Sequence, residues 1–495
     1  MAIQEKFPAD VYRRVVLEPI FEQMRHFLFQ PMMKLNLAHG VMLAECGLLS
    51  SDEGQQILTG LNKITAEKVL NLTYDGRFED LFFYIEDLLS QEIGTDLAGK
   101  LNMARSRNDM DVAIYRLVLR DKLLHTMQML TNLRQAVLTL AGEHVDTVMP
   151  GYTHTQPAQT TTLAHYLVAV ADVFKRDFVR LEHAYETTNQ SPMGAAAFTT
   201  TGFPIDRVRV QTLLGFDGLV ENSYDAIGGA DYLLEAAAAL AISAVNTGKW
   251  VNDLLRDATQ EFGAIRLGDG YVQISSIMPQ KRNPVSLEHS RAMLSTALGD
   301  AQSVQTVLHN TPFGDIVDTE DDLQSYLWRG YHRLAEVFEL LEALLPSLEV
   351  NKPLLERRAL ESFSTVTELA DTLVRASSIS FRQAHGFVSA LVRRLIEEGK
   401  TLYSIGLSDL EELAQTSHPY MIEPLRMITD DSIKQALDPR HFVAIRSVIG
   451  GPSPKEVNRM LQTRIAQTTW EKQWILSAQE KLQKADQLLQ TAIRQ

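Results

Sequence analysis

Cysteine is almost absent: Cys46 stands alone in 495 residues, so neither an intramolecular disulfide nor a cysteine metal cage can form. Nothing in the chain needs an oxidising compartment, and a cytoplasmic protein is expected. Positive charge is also short. A formal net charge of -15 excludes a dedicated binder of nucleic acid, although a local basic cleft for a small anion stays open. No apolar run reaches the roughly 18 residues of a membrane span, since even the stretch from Leu233 to Val245 stops at Asn246. Met1-Ala2-Ile3-Gln4-Glu5-Lys6 has no basic stretch leading into an apolar core, unlike a signal peptide. No internal repeat or low-complexity tract is found. There is no glycine-rich loop ending in Lys-Ser or Lys-Thr, and Gly268-Asp269-Gly270 lacks the third glycine of a dinucleotide site. No His-Glu-x-x-His or Cys/His spacing points to zinc, so no metal and no organic cofactor is required.

Helical spacing fills most of what is present, and strand signals are sparse. A chain of this size with 45% hydrophobic residues buries a large core in two or three domains. Apolar residues recur at helical spacing from Tyr12 to about Ser50, and Ser51-Asp52-Glu53 reads as a capped helix start. Turn residues at 73–78 interrupt before an amphipathic segment from Glu79 to Ile93. Leu123, Met127, Leu130, Leu133, Val137 and Leu140 mark one face of a long helix. Two prolines and a glycine make 148–157 a connection, with helical spacing again from Thr161 to about Thr187. Ala237, Ala241, Ala244, Gly248, Val251 and Leu255 form the small-residue seam of a tight bundle, expected to extend across subunits. Further helices are expected over about 287–308, from the acidic run 315–322 through Leu344, and near 368–376 and 381–398.

The chemistry concentrates in Ser275-Ser276-Ile277-Met278-Pro279-Gln280-Lys281-Arg282-Asn283-Pro284, with Glu288 four residues on. Hydroxyls, a cation, an amide and a carboxylate crowd a loop-to-helix junction, where outward backbone N–H groups favour an anion. With His154 and the Arg105/Arg107 pair, this inventory suits removal of a proton beside a carboxylate. Such a step leaves a dianionic intermediate that needs cations and fixed N–H donors where the charge develops. A serine base must be activated by the same positive field, and a histidine held by a carboxylate can manage the departing group's proton. Taken singly, each residue has a bland reading: Leu101–Asp109 as a solvated helix start, His154 as a surface histidine.

As a set they resemble a known family. Ser275-Ser276-x-Met278-Pro279-x-Lys281-x-Asn283 is similar to the signature loop of the fumarase/aspartase superfamily. Arg105-Ser106-Arg107-Asn108-Asp109, Gly151-Tyr152-Thr153-His154-x-Gln156, Ser191-Pro192-x-Gly194 and Thr367-Glu368-Leu369-Ala370-Asp371 resemble its argininosuccinate lyase branch, in matching order from about 75 to 415. The resemblance implies an all-α fold in three domains, expected at 1–112, 113–364 with the catalytic loop at about 262–285, and 365–495. It also implies a homotetramer built on a central long-helix bundle, each active site drawing on three subunits. It gives catalytic roles to Ser275 as base, to His154 hydrogen-bonded to Glu288, and to Lys281. Substrate binding falls to Arg105, Ser106, Arg107, Asn108, Thr153, Gln156, Ser276, Met278 and Asn283. The reaction implied is anti elimination across a carbon–nitrogen bond of an N-substituted aspartate, releasing fumarate and an amine, with no cofactor.

The departures cluster. His-Thr-Gly of the family is Asn102-Met103-Ala104 here, and Glu-Asp-Ile-His is Glu79-Asp80-Leu81-Phe82. Tyr-Asn-Lys-Asp-x-Gln-Glu-Asp-Lys is Asp315-Ile316-Val317-Asp318-Thr319-Glu320-Asp321-Asp322-Leu323, while Ala230 and Ile274 replace an Arg and a Gly. The fumarate half of the site is kept and the arginine half altered. Each cation–carboxylate interaction removed from a desolvated site in this way is worth about 1.5 to 3 kcal/mol. Argininosuccinate is the family default; the rival is another succinyl amine, more cationic or less carboxylate-bearing than arginine, of which the ethylenediamine disuccinate type is one candidate. A non-catalytic structural protein on this scaffold is the reading from another class, and retention of Ser275, His154, Lys281, Asn283 and Glu288 speaks against it.

Overall fold

Leu123, Met127, Leu130, Leu133, Val137 and Leu140 are all buried along one 37-residue helix, Arg107–Glu143. In the computed structural model, which describes residues 7–495, that helix is the spine; the signal-peptide reading rests on residues outside this range. Leu163–Thr188 and Asp321–Leu344 pack beside it, and Asp231–Asp257 and Val285–Leu308 pack on these in turn, in an all-α bundle. Tyr331 Oη donates to Ala236 O (2.8 Å) and Tyr166 Oη to Asp253 Oδ2 (2.6 Å), pinning neighbours together through polar groups that burial would otherwise leave unpaired.

Local chemistry sets the helix starts. Ser50, one residue earlier than the sequence indicates, caps Ser51–Asn62 with Glu53 completing the capping box. Ser106 and Asp109 do the same for the spine, and Ser380 and Gln383 for Phe381–Glu397.

The segment 148–157 differs from expectation. It is part of an antiparallel hairpin, Val148–Thr153 against Gln156–Thr162, with a register shift between Pro150 and Tyr152. β-branched Thr160, Thr161 and Thr162 favour the extended strand, and the prolines are tolerated because a two-stranded ribbon leaves edges that need no N–H.

The expected division at 112 falls inside the spine, and one hydrophobic core runs from Leu17 through the bundle. A second core, Leu369 to Leu437, belongs to the helices that follow the bundle. The remainder of the expected 365–495 unit returns: Pro454–Arg494, a 41-residue helix, lays Val457, Met460, Leu461, Ile475 and Leu489 into the main core. Sequence reading missed this helix, although Ser453-Pro454-Lys455-Glu456 followed by that spacing is a start signal. Among the described residues no helix is long and apolar enough to cross a membrane.

The returning helix is clamped by a fully buried ion pair, Arg134 Nη1 to Glu471 Oε1 at 2.6 Å, with Arg134 Nε also donating to Ala171 O (2.9 Å). Removing one partner strands a buried charge, so Glu471→Ala should destabilise the protein by about 3 to 5 kcal/mol, read from urea unfolding. A loss typical of a surface pair would show that the helix does not dock this way.

Candidate active site

At the start of the spine, Ser106 Oγ accepts from Asn108 N (3.4 Å) while Asp109 Oδ1 accepts from Ser106 N (2.9 Å). Asp109 Oδ2 accepts from Gly194 N (2.9 Å) and Ala196 N (3.0 Å), so the Ser191-Pro192-x-Gly194 turn is hung on the same helix terminus. Burial pushes the Asp109 carboxyl up to about 6 against these donors, which favour its ionised form. Arg105 donates to Asn36 Oδ1 (2.6 Å) and Asn102 Oδ1 (2.7 Å) and lies over the Phe82 ring. Ala104, where the family has glycine, sits at φ +61°, a conformation glycine adopts without a Cβ clash. Arg107 is ringed by Asp80 (2.5 Å), Glu79 (3.5 Å) and Asp111 (3.8 Å). The Asn108 amide donates to Asp315, and beside Asp315 burial, then its carboxylate, push Glu320 up to about 7.

His154 and Gln156 belong to the hairpin, which leaves and rejoins the bundle at the other end of the spine. His154 and Thr155 both take positive φ (52° and 62°), the two-residue turn that twists with the strands and is usually built from Asn or Gly. Thr153, His154 and Gln156 are exposed. Below them Tyr152 packs on Phe262 (ring centroids 5.7 Å), and Arg256 lies over both rings. Gln159 Nε2 donates to Thr367 Oγ1 (3.4 Å), tying the hairpin to the segment 367–371.

The signature loop stands at this same end. Gln273 and Ile274 pair with Asn283 and Arg282 in a short antiparallel ladder, so residues 275–281 form its tip. Ser275 Oγ accepts from Met278 N (3.1 Å) and Ile277 N (3.4 Å). Backbone donors aimed at a hydroxyl oxygen favour its ionised form, which lowers the cost of using it as a base. Met278, Lys281, Asn283 and Glu288 line a cleft of about 1330 Å³ with Arg256, Arg266, Arg282 and Arg291; Ser275, half-buried, and Ser276, exposed, lie outside that lining. The cleft's carboxylates, Glu261, Glu288 and Glu349, are outnumbered by its cations, as an anion site requires.

A family profile described as lyase matches residues 32–299, and one described as argininosuccinate lyase C-terminal matches 363–444. The chain is 37% identical to argininosuccinate lyase of Methanocaldococcus jannaschii over 93% of this chain and 92% of that one. It is 38% identical to argininosuccinate lyase 2 of Agrobacterium fabrum, over 91% and 89%. The chain belongs to the argininosuccinate lyase family. It is a carbon–nitrogen lyase. EDDS lyase in complex with formate superposes with a TM-score of 0.88 at 33% identity, covering 95% of this chain and 92% of that one. A class II fumarase from Schistosoma mansoni shares the fold, with a TM-score of 0.68 at 15% identity over 87% and 92%.

Within one chain the argininosuccinate lyase signatures do not converge. Arg105, Ser106, Arg107 and Asn108 sit at the start of a 37-residue helix, which spans roughly 55 Å at 1.5 Å per residue. The hairpin and signature loop sit at its other end. Glu288 opens the helix Val285–Leu308, while Asp315, in contact with Asn108, follows that helix's far terminus. The expected hydrogen bond between His154 and Glu288 is not formed within the chain. The hairpin rests on Lys352–Glu361 and Pro439–Ala444, and the His154 ring has no hydrogen-bond partner among the described residues.

Sequence reading passed over Asp315 and Glu320 as site residues, and over Arg256, Arg291 and Phe262. The first two lie more than 200 positions from Asn108, and acidic runs are ordinarily solvated faces.

The crowded carboxyls make stability depend on pH. Glu320 is raised from 4.5 to about 7 in the folded chain, burial first and neighbouring Asp315 and Asp321 next. Its contribution is full below pH 4.5 and is lost as pH rises through 7. Glu320→Gln should therefore raise the melting temperature at pH 8 and leave it unchanged near pH 4, measured by calorimetry; equal shifts at both pH values would contradict the burial.

Proposed function

We propose that this lyase eliminates fumarate from an N-substituted aspartate, with argininosuccinate, named for its relatives, as the reference substrate. One observation carries the reading most directly: Ser275, with two backbone N–H groups on its hydroxyl, heads the loop that brings Lys281 and Asn283 to a cation-rich cleft. Ser275 takes the proton from the carbon beside a carboxylate. Lys281, Asn283 and the loop amides hold the extra negative charge as it develops. His154, with Glu288 brought to it by another subunit, gives a proton to the nitrogen as the carbon–nitrogen bond breaks. Ser106, Asn108, Thr153, Gln156, Ser276 and Met278 hold the succinyl group, and Arg105 and Arg107 keep the positive field around it. No metal or cofactor takes part in this scheme. The choice of Ser275 over Ser276 is supported by the donors on its oxygen.

The separation of the half-sites supports a homotetramer with shared active sites. Leu234, Ile242 and Val245 expose an apolar stripe on Asp231–Asp257, and Ala292, Ser295, Thr296 and Gly299 give the neighbouring helix a small-residue face. Such faces let helices of different chains approach closely. A cytoplasmic location completes the proposal, resting on the single cysteine.

Ser275→Ala should lower kcat on argininosuccinate by at least about 100-fold, followed by fumarate absorbance; an unchanged kcat would favour a non-catalytic scaffold. Subunit sharing has its own test. Asn108→Ala and Ser275→Ala proteins, each inactive, are unfolded together and reassembled. Random mixing should restore about a quarter of wild-type activity when the two groups of one site come from different chains, and nothing when they come from the same chain.

A further inference from the structure

A cavity of about 840 Å³ lies where Phe29–Glu45, the spine, Asp321–Leu344 and Pro454–Arg494 come together, and none of the candidate active-site residues lines it. Its volume is that of a pocket for a small organic molecule. Phe27, Phe29, Leu117 and Leu489 give it apolar walls, and Phe27 is exposed, a surface that gains from being covered. Most of the charges that line it are already answered. Asp486 pairs with Lys34, and Asp121 lies 3.5 Å from Arg120 Nε. Arg120 Nη1 is spent on Asn189 Oδ1 (3.0 Å) and on the carbonyls of Leu214 (3.2 Å) and Gly215 (3.3 Å). Lys122 remains: among the described residues no carboxylate oxygen comes within 4.0 Å of its Nζ, which lies 6.0 Å from the centroid of the Phe27 ring. It is half-buried, and burial holds its pKa below the ordinary lysine value against the weaker pull of Asp121. One helical turn on, Thr126 lines the same cavity, and its buried Oγ1 makes no hydrogen bond. An ammonium with no counter-ion and a hydroxyl with no partner therefore share one face of the spine, against apolar walls. A single anionic head on an apolar body answers all of them. Phosphate, doubly charged and without an apolar part, would meet one lysine and leave the walls uncovered.

We propose that this cavity binds an amphipathic monocarboxylate, its carboxylate on Lys122 Nζ and Thr126 Oγ1 and its hydrocarbon tail against Phe27, Phe29, Leu117 and Leu489. The returning helix Pro454–Arg494 forms one wall and the spine another, so the ligand ties these two elements together. It stabilises the folded chain by mass action, as any ligand does that binds only the folded state. The site is separate from the elimination chemistry and does not depend on it.

Octanoate is the probe. Calorimetric titration of the full-length protein should show one saturable site per chain with a Kd below about 1 mM. Octanol lacks the charge and butyrate the tail, and each should bind roughly tenfold or more weakly. Lys122→Met should weaken octanoate roughly tenfold or more, and Thr126→Val roughly fivefold. The second change removes only a hydroxyl that makes no hydrogen bond, so the fold should tolerate it. Lys281→Met, in the cation-rich cleft, should leave the titration unchanged. Absence of a saturable site, octanol binding as tightly as octanoate, or an affinity unmoved by both Lys122→Met and Thr126→Val overturns the proposal. Loss of binding in Lys281→Met overturns it too, because the octanoate would then sit in the cleft.

Discussion

An α-helix is stiff and its length is set by its residue count, and from that constraint the organisation of this enzyme follows. The spine holds Ser106 and Asn108 at one terminus and delivers the chain to the His154 hairpin at the other. Nothing short of breaking the helix brings the two signatures of one chain together. The fused core of the bundle forbids that, since Arg134 and Thr131 in the middle of the spine are themselves buried. Exposure of the hairpin tip and of the apolar stripe on Asp231–Asp257 fits the proposal that each chain carries half-sites completed by a neighbouring subunit.

The two ends differ in charge as well as position. At the loop end Arg256, Lys281, Arg282 and Arg291 outnumber the acids of the cleft, as suits a substrate end that becomes more negative during reaction. At the spine terminus the balance is reversed, with Asp80, Asp111, Asp315, Glu320 and Asp321 around Arg105 and Arg107. The aromatic rings beside them fit the same pattern. Phe82, which stands where the family has a histidine, and Phe83 lie under the Arg105 and Arg107 guanidiniums, ring faces that accommodate a cation while accepting no strong hydrogen bond. Carboxylates therefore crowd the end of the spine that carries Arg105 to Asn108, while cations crowd the loop end.

Helices were legible in the sequence where one face is apolar; the capped start at 51 was placed one residue after its Ser50 cap, and the Ser106 cap was not singled out within the polar run 101–109. The hairpin at 148–162 was not, because prolines and a glycine look the same in a loop and in an irregular two-stranded ribbon; only the register distinguishes them. Candidate site residues were legible as motifs, but their distribution between the two ends was not, because linear order does not report which helix termini share an end. Asp315 illustrates the limit. Its departure from the family pattern was readable, whereas its contact with Asn108 depends on where the Val285–Leu308 helix stops.

Strain has a definite place in this arrangement. His154 and Thr155 occupy consecutive left-handed conformations that each cost a non-glycine residue about 1 kcal/mol or more, yet neither is glycine or asparagine. The turn is held from below rather than by its own residues: Tyr152 against Phe262, Arg256 across both rings, and Arg358 also over Phe262, 4.5 Å from its centroid. Phe262 also begins the segment that leads to the signature loop. The same aromatic contact therefore braces the imidazole and anchors the root of the loop carrying Ser275. A displacement of either is felt by the other through packed rings and guanidiniums, which are far less compliant than the exposed tips they support.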